Sequence, residues 1–90
     1  MIVRQTGVFQ RKVKKLHSAE KKSLDKAVKK IMGDPSIGTS KKGDLGNIQV
    51  YKFKQNTTQY LLAYQYLTNE LELTFIAIGT HENFYRDLKQ

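Results

Sequence analysis

The sequence contains no cysteine, only two histidines and no long apolar run. Without cysteine the chain cannot form disulfides or thiolate metal sites. His17 and His81 lie far apart and lack the spacing of metal ligands, so we expect neither a metal nor another cofactor. No segment is long enough to span a membrane, and the first residues do not form a signal-peptide pattern. These features predict a cytoplasmic protein with no membrane partner.

Acidic residues are scarce in the first half of the chain. The whole sequence has 16 Lys and Arg against 8 Asp and Glu, a net charge of +8. Residues 1–45 hold 12 basic and 4 acidic residues (12 − 4 = +8), whereas residues 46–90 hold 4 of each (4 − 4 = 0). A length of 90 residues predicts one domain, 1–90. A small basic domain most often binds nucleic acid or an acidic protein.

The first half of the chain predicts a short strand followed by two helices. Met1–Gln5 is the strand, and Thr6 is a suitable N-cap for a first helix. That helix would bury the apolar stripe formed by Phe9, Val13 and Leu16.

The second helix is predicted to begin at Ser18 as its N-cap and to end at Gly33-Asp34-Pro35. Glycine there suits a left-handed cap, and proline prevents the helix from continuing. The apolar residues of this helix recur with a period of 3.6 residues: Leu24, Ala27, Val28, Ile31 and Met32. Two helices joined by a tight turn form an antiparallel hairpin.

Three further strands are predicted at Ile48–Lys54, Gln59–Leu67 and Leu71–Ile78, with turns at 55–58 and 68–70. The last strand is apolar on both faces, which indicates an interior position in the sheet. The order of elements is typical of an α+β fold. We expect a small, mainly antiparallel sheet of about four strands, with the helix hairpin on one face.

The strand Ile48–Lys54 alternates between aromatic and basic side chains. Tyr51 and Phe53 point one way, and Lys52 and Lys54 point the other. If the helix hairpin covers the aromatic face, the two lysines lie on the opposite face. A pair of lysines that only keeps a sheet edge soluble would have the same pattern.

The residues after the last strand change abruptly to polar groups. Thr80 is a suitable N-cap for a short C-terminal helix, in which His81 and Tyr85 would share one face. Glu82 and Arg86 would pair on the next face. Such a polar pair beside the end of a strand is expected at a functional site, although a tail that only caps the fold would look similar.

Five lysines cover the predicted second helix. Lys22 and Lys26, and likewise Lys26 and Lys30, are four residues apart and repel each other on a helix surface. The set is either a solvated face or a surface for a polyanion or an acidic partner: Lys21, Lys22, Lys26, Lys29 and Lys30.

The order of these elements and their local sequences resemble the RelE/ParE superfamily of bacterial toxins. The resemblance covers nearly the whole chain and rests on four segments in order: Gly43-Asp44-Leu45, Val50-Tyr51-Lys52-Phe53-Lys54, Tyr60-Leu61-Leu62-Ala63-Tyr64 and Ile78 to Arg86. It implies a toxin of a type II toxin–antitoxin system that forms a hetero-oligomer with its antitoxin. RelE-type members cleave messenger RNA in the ribosomal A site without metal, whereas ParE-type members poison DNA gyrase.

The resemblance also implies roles for individual residues. Lys52 and Lys54 match lysines that stabilise the phosphate or act as a base. His81 occupies a position held by arginine or histidine in relatives, and an imidazole suits proton transfer near neutral pH. It is otherwise a surface histidine without a role. Tyr85 matches a family tyrosine that stacks on a base or joins proton transfer, unless it only packs beside Phe84.

Further basic residues are predicted to contact RNA. Arg86 and Lys89 would bind phosphates, although Arg86 also suits a pair with Glu82. Lys22, Lys26 and Lys29 would dock on ribosomal RNA. One departure from the family pattern weakens the nuclease interpretation. RelE-type nucleases commonly carry an arginine where this chain has Leu61, and losing such a group costs roughly a hundredfold in rate.

Overall fold

The computed structural model describes residues 1–40 and 48–81. Its elements follow one another along the chain: strand β1 (Ile2–Gln5), helix α1 (Gly7–Lys14), helix α2 (Ser18–Gly33), and strands β2 (Thr39–Ser40), β3 (Gln49–Gln55), β4 (Thr58–Leu67) and β5 (Glu72–Thr80). Short 3₁₀ turns occupy Pro35–Ile37 and Thr68–Glu70. The predicted C-terminal helix, with Tyr85, Arg86 and Lys89, lies outside the described residues, as does Gly43-Asp44-Leu45. Within the described ranges, neither helix combines the length and apolar character needed to cross a membrane.

The five strands form one mixed sheet in the order β1-β5-β4-β3-β2. β1 pairs with β5 in parallel, and the other pairs are antiparallel. The predicted sheet of about four strands is corrected by the addition of β2, whose two residues are too few to show a periodic pattern. The interior position of the last strand is confirmed, because β5 pairs with a neighbour on each side.

Thr6 caps α1 as predicted and also fixes an irregularity in β5. Its hydroxyl oxygen accepts a hydrogen bond from the Phe9 N–H at 3.1 Å and donates one to the Ile76 carbonyl at 2.6 Å. Ala63 pairs with Ala77 and Tyr64 pairs with Phe75, so Ile76 is the extra residue of a β-bulge. The cap of the first helix therefore also holds the bulge of an interior strand.

The start of α2 differs from the prediction. His17, not Ser18, is the N-cap, and Ser18 is the first helical residue. The His17 N–H donates to Glu20 Oε1 at 2.9 Å, which satisfies a backbone donor at the helix start. The Glu20 carboxylate, three residues after His17, thus determines where the helix begins.

The end of α2 also differs from the prediction. Gly33 is the last helical residue, and Asp34 follows in an extended conformation with φ −154°, so the predicted left-handed glycine cap is wrong. Asp34 instead caps the next 3₁₀ turn, because its Oδ1 accepts a hydrogen bond from the Ser36 N–H at 3.1 Å. Pro35 occupies the first turn of that 3₁₀ segment, a position where its missing N–H costs nothing.

The sheet buries an apolar cluster on each face. The helix-side cluster joins both helices to the sheet through Phe9, Leu24, Ala27, Ile31, Tyr60, Leu62, Tyr64, Leu73, Phe75 and Ile78. Tyr51 and Phe53 pack against it, as predicted. The second cluster lies on the opposite face and consists of Val50, Leu61, Ala63 and Ala77. β4 contributes to both clusters, so its side chains are buried on both faces.

Tyr64 links the end of α2 to the centre of the sheet. Its ring is fully buried, and its hydroxyl donates to the Pro35 carbonyl at 2.6 Å and accepts from the Gly38 N–H at 2.9 Å. A Cβ atom at Gly38 would lie 2.5 Å from this hydroxyl, so only glycine allows the approach. Burial also raises the pKa of the Tyr64 hydroxyl.

Replacing Tyr64 with phenylalanine is expected to lower the free energy of unfolding by about 1–3 kcal/mol, because the Gly38 N–H and the Pro35 carbonyl lose their partner. Urea denaturation measures this change. Tyr66→Phe is the matched control, since this tyrosine packs half-buried against the same cluster. Equal midpoints for the two variants would contradict the role of the hydroxyl.

Candidate functional site

Three residues on neighbouring strands form a row at one end of the sheet. Lys54 on β3 is the register partner of Gln59 on β4. The His81 N–H, directly after β5, donates to the Gln59 carbonyl at 3.0 Å. Gln59 therefore lies between the lysine and the histidine. Adjacent strands are about 4.8 Å apart, so the backbones of Lys54 and His81 are about 10 Å apart. At this separation the two side chains can reach the same phosphate group.

The row and Lys52 share the sheet face that points away from the helices. Lys52 pairs with Leu61, which belongs to the second cluster, and strand alternation places Lys54 and Gln59 on the same face. Gly79 also pairs with Leu61, and His81 follows it by two residues. Lys52, Lys54 and His81 are exposed. The predicted position of the two lysines opposite the helices is thus confirmed.

The bulge at Ile76 decides the face on which His81 lies. Leu73 and Phe75 precede the bulge and belong to the helix-side cluster. After the bulge the alternation is shifted by one residue, so Ile78 belongs to that cluster instead of Ala77. In a regular strand His81 would continue the alternation of Leu73 and Phe75 and face the helices.

Thr80 is a strand residue and not the N-cap that the sequence predicted. It pairs with Tyr60 as the last residue of β5. The strand continues past Gly79 because β4 extends beyond this point and offers backbone partners as far as Gln59. His81 is therefore placed by a strand ladder.

A groove of about 310 Å³ separates α2 from β3 and is lined by four lysines. Lys26 and Lys30 come from the helix, and Lys52 and Lys54 come from the strand, where alternation points their side chains toward the opposite sheet face. The remaining lining residues are Ser23, Ala27, Tyr51 and Phe53. Sequence reasoning gave Lys30 no RNA-binding role, although its four-residue spacing from Lys26 placed both on one helix face.

The other α2 lysines predicted to bind RNA, Lys22 and Lys29, are exposed and do not line this groove. None of the five α2 lysines forms an ion pair with another described residue. An ion pair found in residues 1–40 and 48–81 joins Arg4 Nε on β1 to Glu72 Oε1 on β5 at 2.7 Å. Glu20, one of the two carboxylates on α2, is already bonded to Tyr60. The positive charge of α2 is thus left without an internal partner in residues 1–40 and 48–81.

A polar notch of about 350 Å³ lies at the row end of the sheet. It is lined by Thr57, Thr58, Gln59, Thr80 and His81. Sequence reasoning missed Gln59, since a glutamine at the start of a strand carries no motif. Only the pairing of β4 with β3 and β5 reveals its position.

The Tyr60 hydroxyl donates a hydrogen bond to the Glu20 carboxylate and so ties the start of α2 to β4. This bond is the main reason that the pKa of Glu20 is lowered, with a further contribution from the His17 N–H. The same bond, with burial, raises the pKa of Tyr60 to about 12. The Tyr60 ring also stacks on Phe53 with centroids 5.6 Å apart, which connects α2, β4 and the lysine strand.

Leu61 is fully buried in the second cluster. The position where RelE-type nucleases commonly carry an arginine is therefore a core position in this chain. In the described ranges, no group of three or more His, Cys, Asp or Glu side chains is arranged to hold a metal ion.

The fold is that of the RelE toxin. The E. coli RelBE toxin–antitoxin complex matches with 22% identity over 87% of this chain and 93% of that chain, with a TM-score of 0.69. A mutant of the E. coli toxin RelE in the free state matches with 20% identity, coverage of 90% and 83%, and a TM-score of 0.71. The mutant in complex with an antitoxin RelBc peptide matches with 17% identity, coverage of 96% and 90%, and a TM-score of 0.69.

The family follows from the sequence as a whole. The model of the ParE-like toxin of type II bacterial toxin–antitoxin systems matches residues 3–89. The chain therefore belongs to the ParE-like toxin family, which confirms the resemblance to the RelE/ParE superfamily. Comparison with curated proteins gives no match.

The Tyr60–Glu20 bond predicts a stability difference that depends on pH. Because the pKa of Glu20 is lowered in the folded state, the stabilisation is fully present above its ordinary value of 4.5 and is lost as the pH falls through the lowered value. We expect Tyr60→Phe to be less stable than the original chain at pH 7, with a gap that narrows below about pH 4.5.

Urea midpoints measured between pH 7 and pH 3 test this expectation. Tyr66→Phe serves as the control, because Tyr66 forms no hydrogen bond with a carboxylate among the described residues. A gap for Tyr60→Phe that stays constant over this range would show that the bond to Glu20 is not its cause.

Proposed function

We propose that this type II toxin inhibits translation by cleaving messenger RNA on the ribosome, without a metal ion. The row of Lys54, Gln59 and His81 carries this proposal. Together with Lys52, it places two lysines and an imidazole on one exposed sheet face. The likeness of the fold to RelE supports it. The natural partners are then the ribosome, its messenger RNA and a cognate antitoxin in the cytoplasm.

The reaction needs three events at one phosphate. The 2′-oxygen loses its proton and attacks phosphorus, the bond from phosphorus to the 5′-oxygen breaks, and the 5′-oxygen gains a proton. Negative charge accumulates on the phosphorane between these steps. Fixed cations beside the phosphate stabilise that charge more than they stabilise the ground state.

The row supplies groups for each event. Lys52 and Lys54 lie two residues apart on one face and hold the phosphate oxygens; the one that acts as the base must be a neutral amine to take up the 2′ proton. His81 donates a proton to the leaving oxygen, a task that suits an imidazole because its ordinary titration range spans neutral pH. Tyr85, which lies outside the described residues, completes the proposal by stacking on a base.

Ribosomal RNA is the proposed docking surface for α2. Lys22, Lys26 and Lys29 are exposed and form no ion pair with another described residue. Each phosphate that such a lysine neutralises releases counterions, so binding gains free energy and weakens as salt is added. Arg86 and Lys89 are proposed to extend this surface.

A second candidate function is poisoning of DNA gyrase, as in ParE-type toxins. The buried Leu61 favours it, because the chain offers no guanidinium from this position of the sheet. A purified gyrase supercoiling assay separates the two functions. Inhibited supercoiling together with intact message would replace the nuclease proposal with this one.

Replacing His81 with alanine is expected to lower cleavage about 10²- to 10⁴-fold, because proton transfer to the leaving group is lost. Primer extension on message from a cell-free translation reaction measures the 5′ ends. His17→Ala is the matched control, since His17 is an exposed histidine at the start of α2, remote in sequence from the row. Undiminished cutting by the His81 variant would remove this residue from the mechanism.

Replacing Lys54 with alanine is expected to lower cleavage about 10²-fold through the loss of one cation at the phosphorane. The same primer-extension assay applies, with Lys14→Ala as the control for loss of one exposed charge. If both lysine variants lose activity equally, general charge and not the position in the row would explain the effect.

A further inference from the structure

Gln59 occupies the centre of the row but has no assigned role. Its backbone lies between both neighbours: it is the register partner of Lys54, and its carbonyl accepts a hydrogen bond from the His81 N–H. Its side chain lies on the same face as Lys54 and is half-buried. Any RNA phosphate held between Lys54 and His81 must therefore pass directly over this amide.

The side-chain amide of Gln59 is available for a ligand. It forms no hydrogen bond with another described residue, whereas the amide of Gln55 accepts one from the Ser23 hydroxyl. A primary amide offers two N–H donors and one carbonyl acceptor, which is the set that matches the edge of a nucleobase. The Gln59 amide is half-buried and open to solvent, so a ligand would replace water as its hydrogen-bond partner.

The surroundings of Gln59 suit a base. The notch next to it has a volume of about 350 Å³, which falls at the lower end of the range for small-ligand sites. Its other lining residues are three threonines and His81; strand alternation places His81 on the face of Gln59, and Thr58 and Thr80 on the other. Among residues 1–40 and 48–81, no acidic side chain lines the notch to repel an approaching nucleotide.

We propose that Gln59 and the threonine notch bind the nucleobase next to the scissile phosphate and so determine which RNA sequences are cut. This inference rests on the proposed messenger-RNA cleavage and adds a specificity-determining residue to that site. The lysines and His81 would act on the phosphate, which every nucleotide shares. Gln59 would read the base, which differs between nucleotides.

The test is a cut-site profile of Gln59→Ala in the cell-free translation reaction, with 5′ ends mapped across several transcripts. The ratio of cutting between favoured and disfavoured sequences should fall on the order of 10-fold. Gln65→Ala is the matched control, because Gln65 is a half-buried glutamine on the same face of β4, about 20 Å further along the strand. Its profile should equal that of the original chain.

Gln59→Asn distinguishes recognition of the nucleobase from a purely structural role of Gln59. It keeps the amide but withdraws it by one methylene, so it should change the profile again, while unfolding midpoints stay close to the original. An unchanged profile in both Gln59 variants, or a loss of equal size at every site, would overturn the inference and leave the cleavage proposal standing. Failure of the unmodified chain to cut any message would overturn both.

Discussion

The burial of Tyr60–Tyr64 on both faces of β4 is the constraint on which the rest of the sheet depends. Tyr60, Leu62 and Tyr64 fill the helix-side cluster, and Leu61 and Ala63 fill the second one. A slip of one residue in the register would exchange large side chains for small ones on both faces at once. The register is therefore strongly fixed, and with it the pairing of Gln59 with Lys54.

The bulge in β5 extends the effect of this register to the position of His81. One extra residue, Ile76, reverses the alternation of the strand, so the same strand buries Phe75 under the helices and continues to His81 on the lysine face. Thr6 holds the bulge through the Ile76 carbonyl, and its N–H donates to the Phe75 carbonyl at 3.0 Å. The turn between β1 and α1 thus helps to set the position of a residue near the other end of the chain.

Local patterns in the sequence predicted the structural features that depend on residues close together along the chain. The alternation of Tyr51 to Lys54 assigned the two faces of β3, and Thr6 was identified as a cap because its role depends on a residue three positions away. The parallel pairing of β1 with β5 and the bulge depend on contacts about 70 residues apart, and no local period records them. Gln59 was missed for the same reason, since only its neighbours across the sheet give it meaning.

The two basic surfaces meet on β3. Lys52 and Lys54 line the groove with Lys26 and Lys30, and Lys54 is also the outer member of the row. Lys54 is therefore common to the groove beside α2 and to the row that ends at His81. The α2 lysines repel each other and form no ion pairs with described residues, so a bound polyanion would relieve part of this repulsion. Under the proposed function, an RNA strand that contacts both surfaces would run from α2 to the end of the sheet, where Gln59 lies between Lys54 and His81.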